Sequence, residues 1–433
     1  MRSSQIICAC ITGPGPGAVG GVRISGAGSW SIAGRIFSSW PAEPQSHKAI
    51  FGHLPTGDDG LALPFSDGHG FTGEEAVEFF IHGSPASIRA LLDLLMAEGA
   101  RSAEPGEFSL RAFMNGRLDL AQAEGVKMTV EAETSAQLKL AKGLREGRLS
   151  HRVSGVRQEL IGVLAAIEAA TDFSEEAGDL DVPLALRRLS SVLTDLNNLK
   201  SEGETSRIGL QGLRVALVGP PNAGKSSLLN ALLQQDRAIV TNIPGTTRDT
   251  LEETLEIHGL KVVLIDTAGL RETEDLVERL GLERSRQAMA GADLVWQLYD
   301  SSLGWTEKDQ EIFKEQKGEV WVLAAKYDLI AGQPDRGIPV SVVSQPGLDH
   351  LLSRIKEFAP PPGAAALLPR HAGLLAASIA AVMDSIESLN SPVPTDLAAV
   401  PIQAAIRILG EITGETTPPD VITRIFHDFC IGK

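Results

Sequence analysis

One stretch constrains this chain more than any other, Gly219-Pro220-Pro221-Asn222-Ala223-Gly224-Lys225-Ser226. It follows the apolar run Leu213 to Val218 and leads into Ser227 to Leu233, which reads as helix. A G-x-x-x-x-G-K-[ST] phosphate loop requires this strand–loop–helix setting. Its glycines let backbone N–H groups turn toward a polyphosphate, and the positive end of the following helix favours the anion. Lys225 adds a point charge near the β- and γ-phosphates, and Ser226 is placed to ligate Mg²⁺. A chance glycine-rich turn rarely satisfies both spacing and setting. The chain is therefore expected to bind a nucleotide in an α/β unit.

The rest of the sequence must house that unit. A length of 433 residues predicts two to three domains, each able to bury its own core. The formal charge of −16 argues against general attraction to nucleic acid or anionic membrane, so any RNA contact needs a local basic patch. The apolar run Ile6 to Ile11 is cut short at Gly13 to Gly17, and no apolar run is expected to reach the ~18 residues of a membrane span. Neither a secretory signal nor a membrane partner is expected. Three cysteines, Cys8, Cys10 and Cys430, are too few for a disulfide framework and suit a reducing compartment, so a cytoplasmic location is expected. Cys8 and Cys10 alternate along a strand-like run and are expected as core thiols on one face; a C-x-C metal site without neighbouring ligands is the weaker reading.

Residues 1–116 read as mixed α+β, with strands expected at Ile6–Ile11, Gly21–Ile24, Ala49–Leu54, Leu61–Phe65 and Ala76–His82 and a helix at Pro85–Ala97. Residues 117–210 are rich in Ala, Leu, Glu and Lys and predict long helices. There Lys139, Lys142, Arg145, Arg148 and Arg152 recur every three or four residues, predicting a basic stripe on one helix face, either solvated or touching nucleic acid. A second helix is expected from Pro183 to Leu199, followed by a polar hinge at Ser201–Arg207. Residues 211–358 alternate strands and helices as a parallel-dominated sheet would, with a last strand at Ile338–Val343. After a linker at Pro360-Pro361-Pro362-Gly363, residues 359–433 return to helix. The simplest topology inserts the α/β unit into one helical domain.

Three further segments extend the phosphate loop in order. Gly245-Thr246-Thr247-Arg248-Asp249 offers Thr247 to complete the Mg²⁺ shell and sense the γ-phosphate. In Asp266-Thr267-Ala268-Gly269, Asp266 is suited to hold Mg²⁺ through water and the Gly269 N–H to meet the γ-phosphate. Lys326-Tyr327-Asp328 stands where GTPases carry N-K-x-D, and its Asp pairs with guanine donors that adenine lacks. Two departures stand out. Ala325 occupies the Asn position, which should weaken affinity without losing guanine selectivity. Leu270 stands where many GTPases place a water-orienting Gln, leaving Glu278, Glu272 and Arg271 as the nearby polar candidates. The fifth element, Ser341-Val342-Val343, is irregular too.

Outside the α/β unit the chain carries Phe71-Thr72-Gly73-Glu74, Pro105-Gly106-Glu107-Phe108 and the run Arg111 to Glu124. It also carries Gly410 to Glu415 and a final Phe429-Cys430-Ile431-Gly432-Lys433. These resemble the MnmE (TrmE) family of tRNA-modification GTPases from residue 5 to the end. The resemblance implies a multidomain α/β and α fold: an N-terminal α+β domain for tetrahydrofolate and dimerisation, a discontinuous helical domain and an inserted P-loop G domain. It implies a GTPase that adds an aminomethyl-type (carboxymethylaminomethyl) group at C5 of wobble uridine, position 34, using a one-carbon unit from 5-formyl- or methylene-tetrahydrofolate. The implied partners are a second copy of the chain, the FAD- and NADH-using flavoprotein MnmG in a heterotetramer, and tRNA.

Matched positions then suggest roles. The expected GTP-binding set is Asn222, Ala223, Gly224, Lys225, Ser226, Ser227, Thr241, Asn242, Ile243, Pro244, Gly245, Thr246, Thr247, Asp266, Thr267, Ala268, Gly269, Lys326 and Asp328. Mg²⁺ falls to Ser226 and Thr247, and K⁺ to Asn222 with Thr241, Ile243 and Thr246. A monovalent cation there supplies charge that an arginine finger supplies elsewhere. Glu278 matches the carboxylate that positions attacking water, and Asn222, Lys225, Arg271 and Cys430 complete the catalytic candidates. Folate contacts fall to Arg23, Glu78, Arg117 and Lys433. Two other readings remain at this stage: an RNA- or ribosome-associated assembly GTPase, and a regulatory scaffold that binds nucleotide but barely hydrolyses it.

Overall fold

A computed structural model of the chain describes residues 5–173, 178–235, 252–266, 291–316, 318–392 and 394–432. Contacts divide the chain into two compact units. One comprises Met1–Val130, Leu144–Leu196 and Gly373–Lys433, and the other Glu131–Gly143 and Asn197–Ala372.

The first unit is built on a six-stranded sheet of β1 (Ile7–Cys10), β2 (Val19–Ser25), β3 (Ile50–His53), β4 (Asp59–Phe65), β5 (Ala76–His82) and β6 (Arg101–Ser102), in the order β3-β4-β5-β2-β1-β6. Only the β1–β6 pairing is parallel. Alternation along β2 and β5 sends Val22, Ile24, Val77, Phe79 and Ile81 into one core, closed by the helices Ser29–Ile36 and Pro85–Ala97. Ser84 caps the second helix by accepting from the Ser87 amide, with proline at the first helical position. The opposite face carries Arg23, Ser25 and Glu78 and is covered by residues 71–74 and 105–111. Helices follow at Leu120–Glu131, Arg148–Asp172, Ala399–Thr413 and Pro419–His427.

The second unit holds a six-stranded sheet of β7 (Leu213–Val218), β8 (Glu252–Ile257), β9 (Leu260–Asp266), β10 (Leu294–Asp300), β11 (Glu319–Ala325) and β12 (Ile338–Pro339). Its order is β12-β11-β10-β7-β9-β8, parallel apart from β8 against β9. β10 reads Leu-Val-Trp-Gln-Leu-Tyr and is buried along its length up to Asp300, as a central strand covered on both faces must be.

Several expectations need correction. The basic stripe does not lie on one helix: helix Ser135–Arg145 ends, Gly147 adopts a left-handed φ of 79°, and a new helix begins at Arg148. The polar hinge is helical, because Val182–Gln211 runs unbroken. Its polar residues are held from one side, where the buried Ser206 hydroxyl donates to the Ala365 carbonyl (2.7 Å) and Glu202 accepts from the Ala365 amide (3.3 Å). β12 covers only Ile338–Pro339; the Val340 amide still donates to the Ala324 carbonyl at 2.9 Å, and the chain then turns so that Val342 and Val343 are exposed. Cys8 is a core thiol, and burial pushes it up to about 11. Cys10, the last residue of β1, is only half-buried and lies 3.4 Å from the Thr12 hydroxyl. The helix Pro369–Asn390 is, by length and composition alone, apolar enough to cross a membrane, contrary to expectation, because alanines dilute its polar residues. Its buried Ser385 donates to the Ala398 carbonyl, and its buried His371 ring accepts from the Leu368 amide.

Candidate functional site

The phosphate loop forms where β7 ends and the helix Lys225–Gln235 begins. Gly219 adopts φ 149°, and a Cβ there would collide with the Leu298 carbonyl of β10, so the strand packing dictates glycine. Asn222 is in the left-handed region at φ 63° and Gly224 at φ 101°, which curl the loop. Ala223 is buried beneath, anchoring it to the core. The Lys225 ammonium donates to the Gly219 carbonyl at 2.7 Å and the Pro220 carbonyl at 2.8 Å, so the charge lies over the loop it is expected to serve. Asn222, Ser226 and Ser227 are exposed. Asn222 and Ser226 each offer a side-chain oxygen, a donor type suited to hard cations.

The base-reading segment follows β11. Lys326 adopts φ 56° and pairs through Nζ with Asp300 Oδ2 at 2.5 Å. Burial opposes ionisation of Asp300, yet hydrogen bonds from Lys326 and Ser302 outweigh it and hold the carboxyl below the usual carboxylate range. Asp328 Oδ1 accepts from the buried Ser341 hydroxyl at 2.6 Å, and Ser341 Oγ itself accepts from the amides of Val343 and Ser344. Asp300 was not singled out from sequence; its signal was an acidic residue closing the strand beside the phosphate-loop strand.

The remaining nucleotide candidates lie outside the described residues: Thr241, Asn242, Ile243, Pro244, Gly245, Thr246, Thr247, Thr267, Ala268, Gly269, Leu270, Arg271, Glu272 and Glu278. So does Lys433. Asp266 is described as the last residue of β9.

In the first unit, Arg23 and Glu78 are cross-strand partners on β2 and β5, joined by Nε to Oε1 at 2.9 Å and by a second guanidinium nitrogen at 2.7 Å. The guanidinium lies over the rings of Phe71 (4.9 Å) and Phe108 (5.2 Å). Arg117 is exposed, with its aliphatic stem against Gly73, where an added Cβ would sit 2.9 Å from Cγ. Arg23 and Glu78 are thus brought together, and Arg117 lies against the segment whose Phe71 stacks on Arg23. Cys430 is exposed on the tail.

Beside this pair runs a charged chain that sequence reasoning missed, buried at Glu74, Arg111 and Glu107 and partly exposed at Arg101. Glu74 accepts from Ser25 (3.0 Å) and Arg111 (3.1 Å); Arg111 also reaches Glu107 (2.9 Å), which receives Arg101 at 2.8 and 2.5 Å. Burial pushes the Glu107 carboxyl up, but the bonds from Arg101, the Glu104 amide and Arg111 prevail and bring it to about 2.

Comparison with known proteins then decides the family. The family model of the MnmE helical domain matches residues 120–430, and that of the GTP-binding protein TrmE N-terminus matches residues 6–117. The chain belongs to the MnmE family. Its similar relatives include proteins of Roseiflexus castenholzii (41% identical, 100% of both chains), Thermus thermophilus (39%, 100% of both) and Moorella thermoacetica (38%, 99% of both). Each of them is named a tRNA modification GTPase. The chain is accordingly a multidomain GTP hydrolase, with an α+β N-terminal part, helical segments and a phosphate-loop α/β unit.

Proposed function

We propose that this chain is the GTP-hydrolysing component of a tRNA-modification complex that places an aminomethyl-type group on C5 of wobble uridine. The observation that carries the reading is full-length kinship to tRNA modification GTPases in a chain whose phosphate loop keeps Lys225 over its own carbonyls. Catalysis of GTP hydrolysis is mainly positioning and charge stabilisation. Lys225 brings the fixed positive charge, and the backbone between Gly219 and Ser226 brings N–H donors.

Bound Mg²⁺ and K⁺ would contribute positive charge where negative charge develops on the phosphates. Ser226 with Thr247 would hold the first, and Asn222 with the carbonyls of Thr241, Ile243 and Thr246 the second. Glu278 would orient the attacking water that Leu270 cannot. Arg23, Glu78, Arg117 and Lys433 form the candidate set for a folate one-carbon carrier. The stacked Arg23–Glu78 pair offers a cation and an anion at one place, which suits a ligand with both a carboxylate tail and ring N–H donors.

The reading extends to a homodimer, a flavoprotein partner of the MnmG kind and a cytoplasmic setting. Mass analysis of wobble uridines in tRNA from cells with and without this chain tests it. Loss of a C5-modified uridine is expected when the chain is removed, and an unchanged nucleoside profile rejects the reading.

A further inference from the structure

The base-reading segment Lys326–Asp328 is anchored in a way that Ala325 makes necessary. Ala325 ends β11, is 5% exposed, and lies directly behind the phosphate loop, its Cβ 3.5 Å from where a Cβ on Gly224 would sit. A methyl group there makes no hydrogen bond to either loop. Its carbonyl accepts from the Ser301 amide at 3.0 Å, yet the buried Ser301 hydroxyl has no partner among the described residues. With Ala325 the buried contact behind Gly224 is apolar, where an amide side chain would offer a polar tie.

Another tie runs one residue further on. Asp300 stands opposite Ala325 in the parallel β10–β11 register. Its Oδ2 holds Lys326, while its Oδ1 accepts from the Ser302 amide (3.0 Å) and hydroxyl (2.6 Å). The carboxylate side chain is 13% exposed and held from two sides, so it is a fixed post rather than a swinging surface group. Lys326 in turn holds a left-handed backbone turn, and its carbonyl accepts from the Leu329 amide, closing the short helix that carries Asp328. From the other side Ser341 fixes Asp328 Oδ1 at 2.6 Å.

We propose that Asp300 is a positioning residue for guanine recognition, bracing the Asp328 turn through Lys326 in place of an amide at position 325. The proposal rests on reading Asp328 as the carboxylate that pairs with guanine. It commits to a coupling: the importance of Asp300 depends on what occupies position 325.

The test uses the full chain and measures equilibrium binding of GTP, of ITP, which lacks the 2-amino group, and of ATP. Asp300→Asn is expected to weaken GTP binding about tenfold, the loss of one charge-assisted tie, and to shrink the GTP-over-ITP ratio. A residue that only held the strand in place would weaken GTP and ITP equally. In an Ala325→Asn background the same change is expected to cost under about threefold, because the amide at 325, behind the phosphate loop, restores a polar tie that no longer depends on Asp300. Lys326→Gln removes the pair from its other end and should shift the ratio likewise, so the test survives if Asp300→Asn fails to fold. Equal losses in both backgrounds, or an unchanged GTP-over-ITP ratio, would overturn the proposal. Asp328→Asn checks the underlying reading separately, since it should exchange guanine for xanthine; retained guanine preference in that variant would sink the pocket assignment itself.

Discussion

Gly432 sits at φ 94° directly against the carbonyl oxygen of Cys10, with no room for a Cβ between them. Gly432 is thereby seated on the end of β1. Phe429 is buried just before them, and the Cys430 carbonyl accepts from the Gly106 amide at 3.4 Å. The backbone is anchored while Cys430 stays exposed.

Gly432→Ala should unseat this tail, since it adds both a steric conflict and about 1 kcal/mol or more of left-handed strain. GTP hydrolysis is expected to stay within about twofold of the parent, because the residues proposed for hydrolysis belong to the other compact unit. Wobble-uridine modification is expected to fall at least tenfold, and deletion of residues 431–433 should do the same. Parallel assays of phosphate release and tRNA nucleosides decide the matter; joint loss of both activities would refute a separate role for the tail.

Two glycines of the phosphate loop should respond differently to alanine. At Gly219 the Cβ meets the Leu298 carbonyl, a backbone atom that cannot move without displacing central strand β10. At Gly224 the nearest atom is the Ala325 Cβ at 3.5 Å, an ordinary contact, so only the φ of 101° opposes a side chain. Gly224→Ala should therefore cost roughly 1–2 kcal/mol, and Gly219→Ala several kcal/mol with loss of the folded α/β unit. Hydrogen exchange of β7 and β10 in the two variants measures the difference, and equal protection would contradict the steric argument.

What could be read from sequence follows from the range of the interactions involved. Strand Ala76–His82 and helix Pro85–Ala97 were legible to the residue, because alternation, a serine cap and a proline are local signals. The phosphate loop was legible for the same reason. The hinge at Ser201–Arg207 was misread because its polar residues are satisfied by Ala365, some 160 residues away in the chain. The chain Glu74–Arg111–Glu107–Arg101 was hidden likewise: each member alone resembles a solvated charge, and only β-sheet topology brings them under cover. The Asp300–Lys326 tie needed the β10–β11 register, which no periodicity reveals.

That buried chain makes a prediction about acid. The folded-state carboxyl of Glu107 lies near 2, below its ordinary value of 4.5. A depressed carboxyl contributes stability that is fully present above the ordinary value and disappears as pH falls toward the folded one. The N-terminal sheet should thus lose stability between about pH 4.5 and 2, by on the order of 3 kcal/mol from this group. Glu107→Gln should flatten that slope and weaken the sheet at neutral pH, where Arg101 and Arg111 lose their shared anion. Hydrogen exchange across residues 101–111 as a function of pH reads this directly; an unchanged slope in the variant would show that other carboxyls set it.

Asn222 allows the proposed cation role to be separated from its role in the turn. Its φ of 63° is one that glycine adopts without strain, so Asn222→Gly keeps the loop conformation and removes only the amide. Asn222→Ala would confuse the two by adding strain. If the amide oxygen holds K⁺ against the phosphates, parent GTP hydrolysis should be faster in K⁺ than in Na⁺ buffer. The glycine variant should lose that stimulation, a fall of about 10- to 100-fold, typical for removing one transition-state charge contact. In Na⁺ the two proteins should hydrolyse GTP at similar rates, since neither then draws on the cation. Affinity for GDP, which lacks the γ-phosphate, should change little in either salt. An equal loss of hydrolysis in both salts would assign Asn222 to the turn alone, and the positive charge at the phosphates would have to come from Lys225 and the helix N-terminus.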